Sequence, residues 1–123
     1  MVKRGFTLIE LLVALTIVAL LLSLVAPHFT ASLARADEAA LKEDLYHLRD
    51  AIDKHFADTG HYPTSLEELA AKKYLRSVPA DPLTQSAATW IVVPPADTSL
   101  GKVFDVRSGA AGVGRNGKPY GEW

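Results

Sequence analysis

The sequence predicts an α+β fold: one long N-terminal helix, apolar in its first half and amphipathic in its second, packed on a short helix and a small antiparallel β-sheet. From Phe6 to Ala26 the only polar side chains are Thr7, Glu10, Thr16 and Ser23. Leu41, Leu45, Leu48, Ile52 and Phe56 then recur at helical spacing and make one apolar stripe. Two short runs rich in β-branched and aromatic residues, Thr89–Val93 and Lys102–Arg107, follow a turn-rich connector and read as strands.

Composition narrows the function. A chain of 123 residues holds one small domain. Lys and Arg total 13 against 14 for Asp and Glu, and a net charge of −1 supplies no general attraction for nucleic acid. The absence of cysteine removes disulfide scaffolds, thiolate zinc sites and cysteine nucleophiles together.

The apolar segment comes first. As a helix, residues 6–26 reach about 30 Å, the thickness of a bilayer's hydrocarbon core. Lys3 and Arg4 precede it, whereas Arg35 after it is mixed with Asp37 and Glu38, so the positive-inside bias keeps the N-terminus cytoplasmic and sends the rest outward. A secretory signal cleaved after Ser32-Leu33-Ala34 would have too long an apolar stretch and an acid near its start. A plain anchor accounts for the length but not for Glu10, since a lone carboxylate in hydrocarbon costs about 2–3 kcal/mol unless it snorkels to the headgroups. Pro27 lacks the amide a helix needs and its ring crowds the preceding turn, so it kinks the helix or ends it; the kink is the preferred reading.

The words around Glu10 are more specific. Lys3-Arg4-Gly5-Phe6-Thr7-Leu8-Ile9-Glu10, followed by Leu11-Leu12-Val13-Ala14, resembles the class III signal of type IV pilins and type II secretion pseudopilins. The resemblance implies that a prepilin peptidase cuts after Gly5 and methylates Phe6 as the new N-terminus. It also implies that Glu10 attracts the N-terminal amine of a neighbouring subunit during assembly, with Pro27 at the helix-interior proline of the family. Physical chemistry agrees, because an ammonium and a carboxylate in an apolar assembly are each costly alone and far less so together. The expected organisation is a cleaved cytoplasmic leader, 1–5, a transmembrane and filament-core helix, 6–27, and a periplasmic head, 28–123, that includes the second half of the long helix.

Within the head, Gly60 supplies a helix stop. The charges between Asp37 and Lys54 read as a solvated surface, with Glu38 and Lys42 spaced as an i,i+4 pair. Thr64 with Glu67, or Ser65 with Glu68, forms a capping box before a helix that runs to about Lys73. Pro79 and Pro82 make Ser77–Leu83 a connector. The two strand-like runs pair as an antiparallel hairpin, Ser108–Gly117 is a loop, and Tyr120 and Trp123 close over the sheet.

Gly60-x-Tyr62-Pro63-Thr64-Ser65-Leu66-Glu67, Val78-Pro79-x-Asp81-Pro82, Phe104-Asp105-Val106-x-Ser108-Gly109 and Tyr120-x-x-Trp123 are similar to phrases of the major pseudopilins of type II secretion. The fold class implied is type IV pilin-like. The resemblance implies a structural subunit of a periplasmic pseudopilus, not an enzyme, anchored once in a bacterial inner membrane. Its partners would be further copies of itself, minor pseudopilins, the prepilin peptidase, the inner-membrane assembly platform with its ATPase indirectly, and the outer-membrane secretin; no nucleic acid is expected. Two other readings share the N-terminal half: a type IV pilin of a surface fibre for adhesion, motility or DNA uptake, and a monomeric, membrane-anchored periplasmic binding module.

No cofactor is expected. Major pseudopilins often hold calcium in the loop after the second strand, but Arg107–Lys118 contains no acid here. Asp105, Ser108 and Asn116 are the only weak candidates, opposed by Arg107, Arg115 and Lys118, whereas calcium takes six to eight hard oxygens. The histidines, His28, His47, His55 and His61, have no metal-ligand spacing and read as surface residues. Asp44, His47 and Asp50 share a helix face without a nucleophile, and the glycine-rich tail lacks the ending of a phosphate loop.

Overall fold

A single α-helix, α1, runs from Leu8 to Thr59 and contains Pro27 without interruption. In the computed structural model, which describes residues 5–123, it is followed by α2 (Leu66–Ala71), β1 (Ile91–Val93) and β2 (Asp105–Arg107), with 3-10 turns at Thr98–Leu100 and Tyr120–Glu122. This is the expected order of a long helix, a short helix and a small antiparallel sheet, and it matches a type IV pilin-like fold. Residues 1–4 of the expected leader, with Lys3 and Arg4, lie outside the described residues. The chain divides into one unit ending at Arg35 and another, Ala36–Trp123.

Among the described residues, the first unit buries no side chain. Its large apolar side chains, from Phe6 and Leu8 through Phe29 to Leu33, are all exposed. Three of its hydroxyls are satisfied within the helix: Thr16 donates to the Leu12 carbonyl, Ser23 to Leu20 and Thr30 to Pro27. Back-bonding of this kind hides a hydroxyl from an apolar surrounding, where an unpaired one costs several kcal/mol.

The second unit has one core. Leu41, Leu45, Leu48, Ala51 and Ile52 of α1 pack with Leu66 and Leu69 of α2 and with Trp90, Val103 and Val106. The stripe departs from expectation at its end. Phe56 is only half-buried and stacks on Tyr62 with ring centroids 4.4 Å apart, while His55, read from sequence as a surface residue, is 2% exposed. His55, not Phe56, continues the alternating four-three spacing of Leu41, Leu45, Leu48 and Ile52, and its Nε2 lies 3.8 Å from the Glu68 carboxylate of α2. The His55 ring is satisfied by the His61 carbonyl at 2.8 Å from Nδ1, and it meets the edge of Tyr74. Gly60 ends α1 with a φ of 75°, in the left-handed region a helix stop uses.

Of the two capping alternatives the structure selects the second, in shifted form. Ser65 is the N-cap and its Oγ accepts from the Glu68 amide, but Glu68 reaches past Ser65 to the Thr64 amide at 2.6 Å and the Thr64 hydroxyl at 2.9 Å. Helix α2 stops earlier than expected, because Lys73 adopts a φ of 65°. There the Lys73 amide bonds Ala70 and the Tyr74 amide bonds Leu69, a Schellman ending with lysine in glycine's usual place.

The strands pair antiparallel in the register Ile91↔Arg107, Val92↔Val106 and Val93↔Asp105, as expected, but each is 3 residues long. Competing partners shorten them. The amides of Lys102 and Val103 both bond the Pro63 carbonyl, and the Thr89 hydroxyl turns back to the Ser86 carbonyl. The residues before β2 thus tie the sheet to the segment ahead of α2, where Tyr62 packs between Phe56 and Phe104.

Candidate assembly site and loop clamp

At the start of α1 the residue that sets the geometry is Thr7. Its Oγ1 accepts the Glu10 amide at 3.1 Å and its carbonyl accepts the Leu11 amide, so the helix begins at Leu8 and Glu10 falls in its first turn. Glu10 is exposed there, among Ile9, Leu11 and Leu12. Gly5 and Phe6 lie outside the helix, and Phe6 is 86% exposed. A carboxylate in the first turn of an otherwise apolar helix sits at the positive end of the helix dipole. Pro27 has no amide for the Ser23 carbonyl, and the helix passes through it.

The weak calcium candidates are not brought together. Asp105 Oδ1 accepts the Arg49 Nε at 2.9 Å and its own neighbour's amide, Val106, at 2.7 Å. The Ser108 hydroxyl donates to Asp81 Oδ2, and Asn116 Oδ1 accepts the Lys118 amide at 3.0 Å. Each oxygen belongs to a different local network. Among the described residues no group of three or more His, Cys, Asp or Glu side chains is placed to hold a metal ion.

Two α1 side chains that the sequence placed on a solvated surface belong instead to the loop. Arg49 Nη2 donates to the Val106 carbonyl at 3.1 Å and to the Trp123 carbonyl at 2.8 Å, in addition to the bond from Nε to Asp105. Glu38 does not serve Lys42. Its Oε1 accepts the Arg115 amide and the Tyr120 hydroxyl, each at 3.0 Å, while the Lys42 ammonium lies 5.1 Å from the Trp123 ring centroid. Burial and the hydrogen bond to Glu38 both hold the Tyr120 hydroxyl above its ordinary pKa. The terminal aromatics therefore close on α1 as well as on the sheet. Arg49 follows Leu45 and Leu48 at the edge of the apolar stripe, a position from which its stem lies along apolar surface while its head can reach either water or the sheet.

A second group was missed. Asp81 is wholly buried, with Oδ1 accepting the Leu83 amide at 2.8 Å and Oδ2 the Ser108 hydroxyl. An aspartate two residues before an amide in a proline-flanked turn is the pattern of an Asx turn, and Val78-Pro79-x-Asp81-Pro82 carries it. The one sequence grouping with an acid–base look does not cohere: His47 pairs with Glu43 at 3.5 Å and Asp50 with Lys54 at 2.9 Å.

Comparison with known proteins bears on the apolar helix and the head separately. Residues 1–26 match the family model described as the prokaryotic N-terminal methylation motif. The chain is 34% identical to the type II secretion system core protein G of Escherichia coli over 65% of its length and 66% of that protein's. It is 35% identical to the core protein G of Klebsiella michiganensis over 64% of its length, and spans 56% of that relative. Against the core protein G of Klebsiella pneumoniae the identity is 28%, over 98% of this chain and 94% of that one. No solved structure matches. A methylation motif on an uncovered apolar helix, followed by a small α+β head, gives this chain a type IV pilin-like fold and makes it similar, nearly end to end, to type II secretion system core protein G.

Proposed function

We propose that this chain is the structural subunit of a periplasmic pseudopilus that supports type II protein secretion, and that it performs no catalysis. The observation that carries the reading is the wholly exposed, largely apolar stretch of α1 from Leu8 to Leu33, whose one acidic or basic side chain apart from His28 is Glu10. Such a helix needs an apolar surrounding on every side. Its length and composition suit a membrane span, and the same surface suits the centre of a filament built of identical helices.

In this reading the peptidase cuts after Gly5 and methylates the Phe6 amine. The new ammonium then lies one helical turn from a carboxylate, and a neighbouring copy's Glu10 neutralises it as the subunit leaves the bilayer. Pro27 relaxes the helix by one hydrogen bond where subunits bend to share an axis. The N-terminus is cytoplasmic and the head periplasmic. The partners are further copies of the chain, minor pseudopilins, the prepilin peptidase, the inner-membrane platform whose ATPase supplies the energy, and the outer-membrane secretin. The relatives' names favour secretion over a surface fibre or a tethered binding module.

The test combines mass with assembly. The protein extracted from membranes should have the mass of a chain beginning at Phe6 plus one methyl group. Glu10→Leu should remain in the membrane and yield neither filaments nor exoprotein secretion. Retention of the first five residues, or normal filaments from Glu10→Leu, would refute the proposal.

A further inference from the structure

We propose that the segment from Ser108 to Trp123 is ordered by side chains of α1, with the Arg49 guanidinium as a built-in cation, and that it takes up no calcium. The major-pseudopilin resemblance implies calcium near this segment, and the residues present do not fit it. Calcium requires several carboxylate and carbonyl oxygens converging on one point. Here one side-chain carboxylate oxygen, Asp105 Oδ1, and two main-chain oxygens, of Val106 and Trp123, do converge, but on Arg49. These are the oxygen classes that a divalent cation would use. A guanidinium satisfies them with a fixed fork of N–H donors and one permanent positive charge.

The remaining donors are committed elsewhere. Ser108 is bound to the buried Asp81, and Asn116 closes its own turn onto the Lys118 amide. On the other side of the loop the Glu38 carboxylate is also in use, gripping the Arg115 amide and the Tyr120 hydroxyl. Glu38 and Arg49 are eleven residues apart on α1, about three turns, so one helix face holds the loop at two points. Arg107 adds a bond to the Gly121 carbonyl at 3.3 Å. The loop is thereby fastened by cations and acids of the chain itself, and a metal ion would have to displace Arg49 to reach its oxygens.

The experiment uses the full chain extracted in detergent and follows amide hydrogen exchange across Asp105–Trp123 together with the melting temperature. Wild-type protein should give the same exchange rates and melting temperature in chelator as in millimolar calcium chloride. Arg49→Gln and Glu38→Gln should each speed exchange in this segment by about tenfold or more, since each weakens or removes charge-assisted hydrogen bonds. Arg49→Lys, which keeps the charge and loses the fork, should speed it as well, and it serves if Arg49→Gln does not fold. Slower exchange or a higher melting temperature of the wild type in calcium, or unchanged exchange in the variants, would overturn the proposal.

Discussion

Glu68 offers a test of how the head is held together, because its chemistry is visible in the pH dependence of stability. Its carboxylate accepts the Thr64 amide at 2.6 Å, the Thr64 hydroxyl at 2.9 Å and the Lys72 ammonium at 2.9 Å. These bonds, the Thr64 amide first, lower its pKa from 4.5 to about 2. At 1.36 kcal/mol per unit the difference is worth at most ~3.4 kcal/mol of stability. The Glu68 side chain is 24% exposed and that of Lys72 49%, so solvent screening reduces the figure to ~1–2 kcal/mol. Because the folded pKa is the lower one, the contribution is fully present above about pH 4.5 and is lost as the pH falls through about 2. Glu68→Gln keeps an oxygen for the Thr64 amide and removes the charge. Urea unfolding followed by the fluorescence of the buried Trp90 should show the variant ~1–2 kcal/mol less stable at neutral pH. The gap should shrink by more than half near pH ~2.5. An equal gap at both pH values, or none at neutral pH, would refute the electrostatic account.

Three other substitutions probe the loops. Ser108→Ala removes the hydroxyl donor from Asp81 and leaves a buried carboxylate oxygen short of a partner, so the same urea assay should show a loss of about 2–3 kcal/mol. Gly109→Ala would drive its Cβ into the Thr89 carbonyl, a backbone atom that cannot swing aside, and should cost about 2 kcal/mol or more. Gly117→Ala is its control: open space surrounds that position and only a φ of 80° opposes a side chain, so the cost should be about 1 kcal/mol.

What the sequence determined alone is whatever depends on local pattern. The apolar run from Phe6 to Ala26, the acid at Glu10, the stop at Gly60 and the capping residues ahead of α2 are each written in contiguous residues; the structure begins α1 at Leu8 with Glu10 in its first turn, ends it before Gly60, and selects Ser65 as the cap with the Glu68 carboxylate shifted onto Thr64. A period of 3.6 residues or a capping spacing needs no distant partner to be recognised. Only the tertiary structure decided the rest. Whether Lys102 and Val103 extend β2 depended on the Pro63 carbonyl, some forty residues earlier. Whether Glu38 and Arg49 faced water or the loop depended on residues 56 to 82 positions away. A long charged side chain has an apolar stem and a polar head, so its place at the edge of a stripe suits either outcome, and the hydrogen-bond partners that another part of the chain brings near select one.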